Sequence, residues 1–359
     1  MAILGGGGHS ANDPIYVDTL ESLKEVFEDS TNNYTHIAFP EVYDGPKVID
    51  LRSKGWNPIN IGYRSDWSAD RYVYCNNWTI LGLSIMDSWF WSLSSSNGKT
   101  TYVYDLIMKN VYVIAITGEA CCFCNTSSGY GRFVRCKFSA VLDANNNHVS
   151  FINQYYNPYG SSSTGRRMYA TQCSFNTEIH TQGNSLYAKV IGSPSNTNEH
   201  QGDIINCIFK INAPFLRFTN NANEQARTTT YQGRFRFCKW IGSVKGYQNR
   251  IHFIQGGSNS AYNVIDVDFY SYFSSSSTTC VIWISFASGV NIINSDRFHS
   301  VNSTIQTSFT RCTQVTQAQM TDQDYLNSIE FICGDTPSDA PPHKRRLILH
   351  THLHERRCA

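Results

Sequence analysis

Arg135-Cys136-Lys137-Phe138, Gln172-Cys173-Ser174-Phe175, Asn206-Cys207-Ile208-Phe209 and Phe237-Cys238-Lys239-Trp240 are four versions of one pattern. Each places an aromatic residue two positions after a cysteine, and the cysteines are 37, 34 and 31 residues apart. Upstream, Asn110-Val111-Tyr112 and Leu83-Ser84-Ile85 extend the pattern at intervals of 26 and 27 residues. Downstream it continues in Val267-Asp268-Phe269 and, more loosely, from Ser295 to Phe298. Residues at i and i+2 lie on one face of a strand. A lone strand cannot bury that face, but stacked repeats would set cysteine on cysteine and aromatic on aromatic in a continuous core. The pattern therefore predicts an all-β solenoid of about 8–10 coils.

Composition agrees. The 359 residues include 31 Asn, 21 Tyr and 20 Phe but only 15 Leu, and charged residues make up 16%. Tyr, Phe, Thr and Asn suit strands and turns, whereas Leu is the everyday helix former, so an all-α or coiled-coil protein is excluded. A 41% apolar content excludes global disorder. The net charge of +1 averages two unlike parts. The tail after residue 342 holds Lys344, Arg345, Arg346, Arg356 and Arg357 against the single acid Glu355, which leaves the remainder mildly acidic. By charge the body is not a nucleic-acid binder. No apolar run approaches the roughly 20 residues of a membrane span, and the N-terminus lacks the pattern of a signal peptide, so synthesis in a cytoplasm is expected.

The twelve cysteines read mainly as small core hydrophobes in a reducing compartment. Disulfides between stacked coils are the alternative, since like positions would lie ~4.8 Å apart. Polar inserts of unequal length, at 157–167, 193–202, 220–233 and 274–279, map to loops on one side of the solenoid, often the binding side. Residues 1–14, with the Gly5 to Gly8 run, read as a flexible arm, because no phosphate-loop Gly-Lys-Ser/Thr follows. Between Thr19 and Asp29, apolar residues at 20, 23, 26 and 27 predict a helix with Thr19 as N-cap. Short strands are expected in 34–40, 48–51 and 59–61, so that 15–65 forms an N-terminal cap over the open solenoid end.

The helix Leu20-x-x-Leu23-x-x-Val26-Phe27, the strand running into a Pro/Gly turn, and the recurring Cys-x-aromatic strand together resemble the right-handed parallel β-helix proteins of the pectate-lyase-like superfold. In texture the chain is most similar to bacteriophage tailspikes, fibres and related virion proteins. The resemblance covers roughly residues 15 to 335 and contains no diagnostic motif. It implies a right-handed single-stranded parallel β-helix over 66–335, followed by an extended basic tail over 336–359.

Because many such proteins cleave polysaccharides, an acid/base pair is sought. Asp266 and Asp268, outward on one strand with Cα atoms ~7 Å apart, are the best sequence candidates, beside the reading that they are solvated strand-face carboxylates. Asp143, Glu178, Asp203 and Glu224 are scattered over different coils. Cys121, Cys122 and Cys124 contain a Cys-x-x-Cys, redox-active or half a zinc site in one reading and core packing in the other. His350, His352 and His354 would face one way on a strand and suit a transition metal. Phage spike tips of the resembling group hold an axial ion in a His-x-His cage within a trimer. The alternative for this basic tail is docking on an acidic partner through Lys344, Arg345, Arg346, Arg356 and Arg357. No other cofactor is expected. Tyr155, Tyr156, Tyr159, Arg166, Arg167, Asn196 and Asn198 are candidate contact residues in the polar inserts.

The expected function is a structural and recognition protein of a phage virion, a tail spike, fibre or decoration protein. Its expected partners are trimer mates, other virion proteins and a host surface glycan. A β-helix polysaccharide lyase or glycoside hydrolase is the rival. A cell-surface adhesin is a third reading. Two or more carboxylates within ~10 Å of each other beside exposed aromatics would favour the enzyme.

Overall fold

The computed structural model describes residues 6–314 apart from 42, 44, 46, 63–66, 94–97, 125–129, 154–166, 183–186, 193–200, 218–224, 231, 247–249, 256–263, 275–279, 286–291, 295–296, 299–302 and 306–312; the side chains discussed lie at or before residue 209. The described chain is built mostly of strands, with one α-helix. The named strands pair in parallel, in sheets of seventeen, eight and two strands.

Three strands recur per repeat. The first column runs through Arg71–Tyr74, Thr100–Tyr104, Tyr130–Val134, Arg167–Thr171 and Gln201–Ile205, each hydrogen-bonded to the next. The second runs through Ile107–Ala115, Lys137–Asn145, Ser174–Gln182 and Ile208–Arg217. The third is the eight-stranded sheet, which includes Trp89–Ser92, Ala120–Cys124, Val149–Asn153 and Tyr187–Gly192.

The corner between the first and second columns explains the cysteine pattern. Asp105, Arg135, Gln172 and Asn206 have φ of 56°, 55°, 56° and 54°. One residue in the left-handed region turns the chain sharply while the flanking strands stay extended. The next residue, Leu106, Cys136, Cys173 or Cys207, is fully buried inside the bend. A small or slim side chain fits there, and the residue two further on points into the core. Met108, Phe138, Phe175 and Phe209 fill that place in register. The rings of Phe138 and Phe175 are 5.2 Å apart, and those of Phe175 and Phe209 lie 5.0 Å apart and nearly parallel.

Downstream the repeat extends as read from sequence, with Val267 opposite Cys238 and Phe269 opposite Trp240. Upstream it does not. The equivalents of Cys136 and Phe138 are Leu106 and Met108, with Ile80 opposite Met108, rather than Asn110-Val111-Tyr112 or Leu83-Ser84-Ile85. Asn110, at φ 53°, sits in a β-bulge where Lys109 and Asn110 face Ser139 alone, and this local kink imitates the corner. Tyr112 instead pairs with Ser84 and Val141 further along the second column.

The first column alternates buried and half-exposed residues, so Val73, Val103, Phe133, Ala170 and Ile204 line one inner row. Gly131 in the neighbouring row leaves room for Met168, whose Sδ would lie 2.3 Å from a Cβ there and would have to shift. Phe123 of the third column closes the core against Phe90, Phe133, Phe138 and Phe151.

The helix forms at Leu20–Glu28, as its spacing predicts. The Thr19 side chain accepts from the Ser22 amide, and the Ser22 hydroxyl returns the bond in a capping box. Leu20, Leu23, Val26 and Phe27 are buried, and Phe27 meets Trp91 edge-on at 5.2 Å. The helix thereby covers apolar surface at the start of the third column. Strands occur at His36–Ala38 and Val48–Asp50, whereas in 59–61 there is only an isolated bridge from Ile61 to Trp91. Within the expected arm, Gly8 is pinned, its carbonyl accepting from the amides of Thr35 and His36.

Candidate functional site

Two outer faces gather chemistry-bearing side chains. The first is a ladder on the first column. In-register pairing places His36, Tyr72, Tyr102, Arg132 and Tyr169 in one outward row. The rings of His36 and Tyr72 stack at 4.6 Å and 14°, and those of Tyr72 and Tyr102 at 4.8 Å and 10°. The Arg132 guanidinium then lies 5.5 Å from the Tyr102 ring and 4.7 Å from that of Tyr169. A second row stacks Tyr74 on Tyr104 at 5.2 Å, with Arg135 5.7 Å from the Tyr104 ring. Five strands at ~4.8 Å give a straight face ~19 Å long.

Parallel pairing of identical positions dictates this geometry, because flat side chains one strand apart lie at nearly their own stacking distance. The ring faces therefore meet one another, and the edges and phenol hydroxyls are left for solvent. Burial pushes the hydroxyls of Tyr72 and Tyr74 up and that of Tyr104 up to about 12, so all three stay protonated donors at neutral pH. Burial, helped by nearby His9, lowers His36, which favours the neutral imidazole.

The second face lies on the second column. Asp143 pairs with Ile114 on one side and His180 on the other. Only 5% of Asp143 is exposed; its Oδ2 accepts from the Tyr112 hydroxyl at 2.7 Å, while its buried Oδ1 has no partner among the described residues. Burial and this bond to a carboxylate push Tyr112 far up. Glu178, two residues from His180 on the same strand, meets the His180 Nε2 at 2.6 Å. Register puts the Cα atoms of Asp143 and Glu178 about 8 Å apart. Trp56, 45% exposed, lies 5.7 Å from the Tyr112 ring. Stacking thus brings together two of the acids that are scattered in sequence, beside an exposed aromatic.

The candidates Asp266 and Asp268 are placed by backbone register alone. Asp266 stands opposite Asn294 and directly precedes Val267, the register equivalent of Cys238, while Asp268 stands opposite Lys239. Their side chains, like those of Asp203 and Glu224, lie outside those described. So do Tyr155, Tyr156, Tyr159, Arg166, Asn196, Asn198, His350, His352, His354, Lys344, Arg345, Arg346, Arg356 and Arg357. The backbone of Arg167 pairs with Tyr130 at the edge of the ladder. Cys121, Cys122 and Cys124 are buried free thiols, and burial raises Cys121 and Cys122 well above the usual thiol value. Among the described residues, no three His, Cys, Asp or Glu side chains gather to hold a metal ion, and no helix is long and apolar enough to cross a membrane.

No protein-family model, curated protein or solved structure matches the chain. Sequence reasoning missed the ladder because its members are 30–37 residues apart and fall before the corner, outside the Cys-x-aromatic pattern. The signal was present in Tyr72-Val73-Tyr74 and Tyr102-Val103-Tyr104, two repeats of one triplet.

Proposed function

We propose that the three columns wind as one right-handed single-stranded parallel β-helix, and that the chain is a recognition protein binding an extended glycan along its first column. Parallel strands joined by successive crossovers almost always wind right-handed, which supports the handedness. The single observation that carries the recognition reading is the row from His36 to Tyr169. The phenol hydroxyls of Tyr72, Tyr102 and Tyr169, one and two strands apart along a line, match a polymer whose hydroxyls also repeat along a line. Resemblance to phage tailspikes and fibres supports a virion setting, with a homotrimer and other virion proteins as partners of the basic tail. Binding of host surface polysaccharide to the full chain tests the proposal. The double substitution Tyr72→Ala, Tyr102→Ala should abolish binding and leave the protein folded; undiminished binding would remove the ladder from the reading.

A depolymerase is the second reading, supported by Asp143 and Glu178 beside Trp56 and Tyr112. A buried carboxyl with a second carboxylate on the neighbouring strand suits general acid and base work at a glycosidic bond. Shortening of polysaccharide chains, lost in Asp143→Asn, would establish it. Chains of unchanged length would leave binding alone.

A further inference from the structure

We propose that the glycan is acidic and that Arg132 holds its anionic group; this rests on the glycan-recognition reading. Arg132 stands fourth in the outward row, between Tyr102 and Tyr169. Unlike Arg135, it meets no carboxylate among the described residues. Arg135 is gripped by Asp105 through two bonds of 2.7 Å, so its charge is neutralised within the fold. Arg132 makes no hydrogen bond or ion pair among the described residues, and its buried Nε is without a partner. The described basic side chains Lys24 and Arg52 are likewise paired, with Glu28 and Asp50. A stacked guanidinium keeps its charge and its planar fork while the aromatic faces above and below restrict its rotation, leaving only the fork edge for a ligand. That edge matches a planar carboxylate bidentately, and a sulfate ester offers the same oxygen spacing.

The surroundings fit an acidic sugar better than a bare ion. Tyr102 and Tyr72 supply hydroxyl donors and acceptors one and two strands away, where neighbouring sugar hydroxyls would lie.

Affinity electrophoresis of the full chain tests the inference. The gels contain hyaluronate or polygalacturonate, the carboxyl-reduced form of each, or dextran sulfate, with single-stranded DNA as competitor. Retardation by the carboxylated or sulfated polymers and not by the reduced forms is the expected result, and comparing the two anionic arms identifies the acid. Arg132→Gln should weaken retardation about tenfold, and Arg132→Lys should lie between, with melting midpoints unchanged. Equal retardation by the reduced polymers would keep glycan recognition and overturn acidity. No retardation by any polymer would overturn both. Preference for DNA would replace the glycan, and an Arg132→Gln protein that still discriminates would move the anion elsewhere.

Discussion

Arg135 holds Asp105 across one repeat, its Nε and Nη2 each 2.7 Å from a different carboxylate oxygen, and both residues occupy left-handed corners. The pair ties consecutive corners together where the backbone is least favourable for a residue with a Cβ. Arg135→Ala loses the pair but keeps the unfavourable corner, whereas Arg135→Gly loses the pair and relieves it. The glycine variant should be the more stable of the two by about 1 kcal/mol, measured by urea unfolding. A glycine variant equal to or below the alanine variant would show that the corner is not strained.

Phe175 lies between Phe138 and Phe209 and is 1% exposed. Phe175→Ala should destabilise the protein by about 3–5 kcal/mol, since the rigid ladder collapses poorly around the cavity. Phe175→Leu should lose less. Equal losses would mean that the ring stack, rather than the volume it fills, carries the stability.

Cys75, Cys121, Cys122, Cys136 and Cys173 are buried free thiols whose ionisation burial pushes well above the usual range. Peptide mapping after brief alkylation of the native protein should find these five unmodified, and denaturant should expose all of them. Rapid native labelling at Cys136 or Cys173 would contradict a closed corner row.

Tyr72, Tyr74 and Tyr104 all ionise above the ordinary tyrosine value, Tyr104 at about 12. Groups raised on folding contribute stability that is complete below the unfolded value near 10 and is lost as pH climbs through the folded value. Thermal midpoints should thus hold steady up to about pH 10 and fall between about 10 and 12. Tyr104→Phe should flatten part of that fall; a midpoint indifferent to alkali would argue that the ladder adds no stability.

The Cys-x-aromatic spacing made the repeat, the strand class and the inward residues legible, because a buried alternation repeated at a near-constant interval has few other physical explanations. Thr19 and the 20, 23, 26, 27 spacing likewise marked the helix and its cap. The upstream repeats slipped for an equally local reason. A left-handed Asn110 in a bulge looks like a corner until Phe138 is seen to pair with Met108.

What the sequence by itself determined is therefore the inner side of the molecule, since burial there imposes residue size and apolarity at every repeat. The outer side was decided by tertiary register. Tyr112 is 31 residues from Asp143, and Tyr102 is 30 from Arg132, yet parallel pairing sets each couple on adjacent strands. Solvent-facing positions tolerate many residue types, so their meaning appears only when stacking brings them within reach of one another.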